Sequence, residues 1–205
     1  HPDTTLQRFV AWQATMLGLP ERICTLMMAG LAHDPTLRDI FLPLSAGGTI
    51  AIPAPCEMAR PEALRALLSL AGCNVVRFSP TTARLLTAGM DGSDGLDTIK
   101  AIFWGGERLP HSEVRRWQRL VPGARQFNVF GTTETPQAFL FYEIYPSMDW
   151  ARNIPLGRPL PWTGVRLVDD EGAEVSRGEV GEIVAELADT VSGVQKKFQL
   201  RQTRA

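Results

Sequence analysis

Apolar positions along residues 1–130 switch repeatedly between the spacing of a helix facing a core and the short unbroken runs of a buried strand. That alternation predicts an α/β protein with a parallel-sheet βαβ core. Leu6, Phe9, Val10, Met16 and Leu17 fall on one helical stripe, residues 23–28 read as a buried strand, and 36–44 as a helix ended by Gly47 and Gly48. A short strand over 49–52 stops at Pro53, and Pro61 opens a helix whose buried face is Leu64, Leu67 and Leu68. The unit then repeats. Residues 74–78 form a strand, Ser79 and Pro80 cap and start a helix over 81–88, and 99–104 form the next strand. Pro110 opens a helix carrying Val114, Trp117 and Val121, and 126–130 return as a strand. Beyond Thr135 the pattern changes: 137–144 are apolar without helical period, and 152–164 are rich in Pro and Gly. Residues 165–168 and 180–185 read as a hairpin bridged by the polar turn 169–172. The expected organisation is an α/β core over 1–145 and a smaller β-rich segment over 146–205, whose basic tail from 195 carries no pattern and is expected to be poorly ordered.

A chain of 205 residues with 44% apolar and 21% charged residues can bury a sizeable core without disulfides or metal. Lys and Arg (21) nearly cancel Asp and Glu (22), and a net charge of -1 argues against nucleic-acid binding. No apolar run approaches the roughly 20 residues that span a bilayer, so no membrane association is expected. Cys24, Cys56 and Cys73 lack CxxC spacing and read as reduced thiols of a cytoplasmic protein. The absence of GxGxxG after the first strand argues against a nicotinamide-dependent reductase. A start at His1 with a helical pattern almost at once suggests a piece of something longer.

In open sheets of this kind ligands bind beyond the carboxyl ends of the strands, and the candidate chemistry lies there. Residues 128–134, Asn-Val-Phe-Gly-Thr-Thr-Glu, leave a strand and bring together an aromatic ring, a glycine, two hydroxyls and a carboxylate. Phe130 offers a face on which a purine can stack, worth about 1–3 kcal/mol in base–aromatic systems. Gly131 lets backbone amides approach a phosphate, Thr132 and Thr133 add donors, and Glu134 is a candidate ligand for Mg²⁺. The same residues also fit a plain polar turn between two strands.

FNVFGTTET resembles the adenine-and-phosphate motif of the adenylate-forming enzymes, with Phe130 where a tyrosine is usual. The resemblance implies that Asn128 meets the adenine edge, Thr133 the phosphate and Glu134 the metal. FWGGERLP, residues 103–110, is similar to the family's Gly-Gly-Glu turn, where Gly105 and Gly106 pass beside the adenine. Glu107 belongs to that turn, either at the nucleotide or as a structural carboxylate of a first helical turn. LAHDPTLRDIFLPLSAGG, residues 31–48, resembles the segment lining the acyl pocket in the branch that includes aminoadipate reductase and synthetase adenylation domains. Asp34 would then pair with a substrate α-ammonium, cap the following helix, or do both. By position in these motifs Arg38, Arg77, Phe103, Val129, Gln137 and Ala138 line the pocket. Arg77 either receives a substrate carboxylate or is solvated or paired, and Arg38 and Asp39 are expected to form a local ion pair. RNIPLGRPLPWTGVRLVDDEGAEVSRGEVGEIVAE, residues 152–186, matches the family's crossover and hairpin and is assigned no chemistry.

The resemblance implies ATP and Mg²⁺ as cofactors, an amino or other carboxylic acid as substrate, and a carrier protein with a phosphopantetheine arm as partner. It also implies the remaining parts of an adenylation domain, because three contributors are not found in this sequence: a Ser/Thr/Gly-rich phosphate loop with a lysine, an Arg-Thr-Gly-Asp run, and the C-terminal subdomain with its lysine. Two expectations follow. The chain is part of an ATP-dependent acid–thiol ligase that does not turn over alone, or it is a non-catalytic structural or interaction module derived from one.

Overall fold

The computed structural model describes residues 3–18, 22–92, 95–132, 135, 137–147, 154–187 and 196–198. Among the described residues five helices and ten strands follow in the order α1 (Asp3–Leu17), β1 (Cys24–Leu26), α2 (Pro35–Ser45), β2 (Thr49–Ala51), α3 (Pro61–Leu70), β3 (Val75–Phe78), α4 (Pro80–Leu86), β4 (Ala101–Trp104), α5 (His111–Leu120), β5 (Arg125–Phe130), β6 (Leu140–Ile144), β7 (Arg158–Pro159), β8 (Thr163–Val168), β9 (Glu182–Leu187) and β10 (Lys196–Phe198). Proline stands at the start of α2, α3 and α4, where a missing N–H costs nothing, and the Ser79 hydroxyl accepts the Thr82 amide at 3.2 Å to cap α4. The helix α3 gives way at Gly72, whose φ of 65° suits glycine.

Seven strands form one sheet in the order β2-β1-β3-β4-β5-β6-β7, and β10-β9-β8 form a second. The strands β1 to β5 run parallel, whereas β6 and β7 add antiparallel. The apolar stretch 137–144, which shows no helical period, contains β6. Residues 196–198, within the tail expected to lack structure, pair antiparallel with β9, and the rest of that tail lies outside the described residues.

The large sheet is covered on both faces, which explains the unbroken apolar runs of its parallel strands. On one face Val76, Phe78, Ile102 and Trp104 pack with Leu64 and Leu68 of α3, Leu86 of α4 and Trp117 of α5. On the other, Val75, Ala101, Phe103, Phe127 and Val129 pack with Phe9 and Val10 of α1 and Leu42 of α2. Successive side chains of a strand point to opposite faces, so Arg77 shares the α1/α2 face with Val75. Its register partner Phe103 lies beside it on that face, and Asn128 lies on the other face opposite Trp104. The strand order reverses direction between β1 and β3, since the chain runs from β1 to β2 on one side and returns to β3 on the other. A crevice opens at the carboxyl ends of such a switch point.

Candidate functional site

A cavity of about 530 Å³ lies at those carboxyl ends. The loop after β1 and the start of α2 contribute Met28, Gly30, His33, Asp34, Arg38 and Asp39. The ends of β3 and β4 contribute Arg77, Ser79, Phe103, Gly105 and Gly106, and the end of β5 and its following loop contribute Val129, Gly131, Thr132 and Gln137. Of the residues named from sequence, the cavity gathers Asp34, Arg38, Arg77, Phe103, Val129, Gln137, Gly105, Gly106, Gly131 and Thr132.

Others stand elsewhere. Ala138 is buried against Gly131, where a Cβ would come within 2.7 Å of the Ala138 Cα. Gly131 is therefore required by its own chain folding back. At Gly106 a Cβ would meet nothing within 4 Å, and φ is 80°, so the open backbone at the cavity mouth is there. Thr132 donates its amide to the Thr135 hydroxyl at 2.8 Å. Asn128 donates its Nδ2 to the Pro155 carbonyl at 2.8 Å, tying β5 to the crossover chain on the sheet face away from α2. The half-buried Phe130 ring meets Phe139 edge-on at 5.2 Å and packs on the cluster of the small sheet, outside the cavity wall. Thr133 and Glu134 lie outside the described residues, so the Mg²⁺ assignment rests on their motif alone.

Glu107 is exposed and reaches across to α4, accepting hydrogen bonds from the Thr81 hydroxyl at 2.8 Å and the Thr81 amide at 3.3 Å. Its carboxyl is held below the ordinary 4.5 chiefly by the Ser79 hydroxyl and then by Thr81. A depressed carboxyl contributes its stabilisation fully above the unfolded pKa and loses it as pH falls through the folded one. The Thr81 amide resonance is expected to stay constant down to the ordinary carboxylate range and to shift only below it. A midpoint at or above 4.5 would contradict this contact.

The floor of the cavity is charged. Arg77 donates its Nη1 to Asp39 at 2.7 Å and its Nη2 to the Gln13 amide oxygen at 3.2 Å. The carboxylate partner of Arg77 is thus Asp39, in place of the Arg38–Asp39 pair expected from adjacency, and Arg77 is paired within the protein. Burial pushes the Asp39 carboxyl up against the opposing pull of Arg77. Arg38 lies over the Phe9 ring at 5.7 Å; burial first, and Arg77 second, bring its pKa down to about 10. Asp34 stands at the start of α2 but makes no side-chain cap, so its carboxylate is left to the cavity. Gln137, at a φ of 70° rare for a residue with a side chain, donates its Nε2 to the Asp34 carbonyl at 3.3 Å.

Asp39 and Gln13 were missed as site residues by sequence reasoning. Gln13 had a signal, a polar residue within the apolar stripe of α1, but its partner lies 64 positions away.

A mostly parallel sheet with helices on both faces and a small antiparallel sheet after it is the fold of the adenylate-forming enzymes. The nonribosomal peptide synthetase FmoA3 superposes with a TM-score of 0.81 at 24% identity, over 89% of this chain and 20% of that one. The chain belongs to the AMP-binding enzyme family, whose model matches residues 4–193. Among its relatives the L-2-aminoadipate reductase large subunit of Eremothecium gossypii is 30% identical over 87% of this chain and 13% of that protein. The D-alanine–D-alanyl carrier protein ligase of Bacillus licheniformis is 27% identical over 92% of this chain and 38% of that protein. The chain spans well under half the length of either relative. Among the described residues no helix is long and apolar enough to cross a membrane, and no group of three or more His, Cys, Asp or Glu side chains is placed to hold a metal ion.

Proposed function

We propose that this chain supplies the acid pocket and part of the ATP site of a domain that activates a carboxylic acid, in particular an amino acid, as its acyl-adenylate. The acyl group then passes to the phosphopantetheine thiol of a carrier protein. One observation carries the reading: a single cavity at the switch point joins an open glycine turn, Gly105–Gly106, to a floor of charged side chains. In the first step a carboxylate oxygen attacks the α-phosphorus of ATP, and the bond from that phosphorus to the pyrophosphate oxygen breaks. In the second the thiol attacks the acyl carbon and AMP leaves. Such chemistry asks for positioning and charge neutralisation more than covalent participation. Asp34 receives the α-ammonium, and its freedom from capping supports that role. The bare face of Gly106 supports passage of the nucleotide beside it. Glu134 is the residue that would hold Mg²⁺, which would neutralise phosphate charge, and Thr133 would meet the phosphate. Their places in the motif support both roles. The division into an α/β core over 1–145 and a β-rich segment over 146–205 then separates the pocket from a segment carrying no chemistry. The cytoplasmic setting is supported by composition.

The second reading, a non-catalytic interaction module, is favoured by the packing of Phe130 on Phe139 outside the cavity wall. Titration of the chain with ATP and Mg²⁺, followed by amide chemical shifts, separates the two. Saturable binding with shifts centred on Gly105, Gly106 and Thr132 is expected. An absence of binding, or shifts confined to another face, would overturn the proposal in favour of the module.

A further inference from the structure

We propose that Cys24 and Cys73 form a redox modification site, at which hydrogen peroxide converts a buried thiol pair to a disulfide. The bond staples β1 to the chain entering β3, at the end of the sheet away from the cavity.

The pair is made by the fold, since its members lie 49 positions apart. Cys24 opens β1, while Cys73 follows α3 and leads into β3, the strand next to β1 in the sheet. Their Sγ atoms stand 3.6 Å apart, and both side chains belong to the core cluster under α3. Both backbones are clamped. The Cys24 amide donates to the Asn74 Oδ1 at 2.9 Å, and the Cys24 carbonyl accepts the Asn74 amide at 3.0 Å. The Cys73 amide donates to the Leu68 carbonyl at 2.9 Å, and the Cys73 carbonyl accepts the Thr98 hydroxyl at 2.8 Å. Neighbouring strands lie about 4.8 Å apart, so a residue one step off register stays within the Cα separation of about 4.4–6.8 Å that a disulfide bridges. Sulfur atoms already in contact then reach a bond of about 2.05 Å by turning about their Cα–Cβ bonds.

The pair lies just below the turn that ends α3. The Cys24 thiol donates to the Ala71 carbonyl at 3.3 Å, and Gly72, next to Cys73, is exposed. Local opening of such a helix end admits an oxidant little larger than water. Burial, and after it the neighbouring Cys24, push the Cys73 thiol well above its ordinary value, so Cys73 stays protonated. Cys24 is also the less buried, 6% exposed against 0%. Oxidation therefore enters at Cys24. Its sulfur, as the thiolate, attacks one peroxide oxygen, the O–O bond breaks, and the departing hydroxide takes up the thiol's proton as water. The sulfur has lost two electrons and is a sulfenic acid. The Cys73 sulfur attacks it, the S–O bond breaks, and the second hydroxide leaves with the Cys73 proton as water. Two thiols and one peroxide become one disulfide and two waters. Cys56 is exposed, and with Cys24 and Cys73 engaged it has no cysteine of its own chain to bridge.

The test uses the full chain with Cys56→Ser, which removes the exposed thiol. Peroxide is added to the folded chain, catalase ends the reaction, and the chain is then unfolded in an alkylating reagent and mapped by mass. The expected product has lost two hydrogens, with Cys24 and Cys73 joined and unalkylated. Its Tm is expected to lie about 5–15 °C above that of the reduced chain, because the bond closes the 49-position span in the unfolded state. Both cysteines alkylated after treatment, either one carrying oxygen in place of the bond, or a disulfide that leaves Tm unchanged or lowers it overturns the assignment. With Cys24→Ser added, Cys73 is expected to stay reduced under the same treatment, and its oxidation there overturns entry at Cys24. The chain with both thiols decides by itself should that variant not fold.

Discussion

Replacing Asp39 with alanine is expected to lower the stability of the chain by about 3–5 kcal/mol, the range for removing one partner of a buried ion pair. Asp39 is 3% exposed and its partner Arg77 is also sequestered, its side chain 9% exposed. Removing the carboxylate strands that guanidinium next to a second buried arginine, Arg38, which already repels it. Most of the loss comes from the charge left behind, so a double replacement is the informative control. Asp39→Leu with Arg77→Met removes both charges while keeping side-chain volume, and is expected to recover most of the stability. Urea unfolding of the single and double variants measures both. A loss below about 1 kcal/mol in Asp39→Ala, the level of an exposed pair, would show that the pair does not act as a buried one.

Gly157→Ala is the second large effect. A Cβ at Gly157 would sit 1.9 Å from the Phe141 carbonyl oxygen and 2.7 Å from the Tyr142 Cβ, and φ is 87°. The backbone conformation alone disfavours alanine by about 1 kcal/mol, and forced repacking adds about 1–3 kcal/mol. The expected total is about 2–4 kcal/mol, and the damage is directional. Gly157 precedes β7, which pairs with β6 through Phe141 and Arg158, and it follows the Pro155 carbonyl that receives Asn128. Hydrogen exchange is expected to accelerate at the β6 amides before those of β3 and β4. Uniform acceleration across the sheet, or none, would contradict the local origin.

The strand runs, the proline starts of α3 and α4 and the glycine stop after α2 were legible because each is a local effect of backbone chemistry. The cavity lining was partly legible for the same reason. Arg77, Phe103 and Val129 share one sheet face, and the two-residue period of strands assigns that face once the register is known. The same period sets Asn128 opposite Trp104 and away from the cavity. Adjacency misled at Arg38 and Asp39. Neighbours in a helix point about a quarter-turn apart, and the cation within reach of Asp39 comes from β3, 38 positions on.

Sequence by itself determined the α/β class, the parallel βαβ alternation of the first five strands and part of the cavity lining at their carboxyl ends, since these follow from periodicity, capping and strand parity. Only the tertiary structure decided which charges pair. It also showed that Gly131 is required by chain return while Gly106 stays open, and that β6 and β7 close the sheet antiparallel. These outcomes depend on contacts between segments far apart in the chain, whose energies no local pattern encodes.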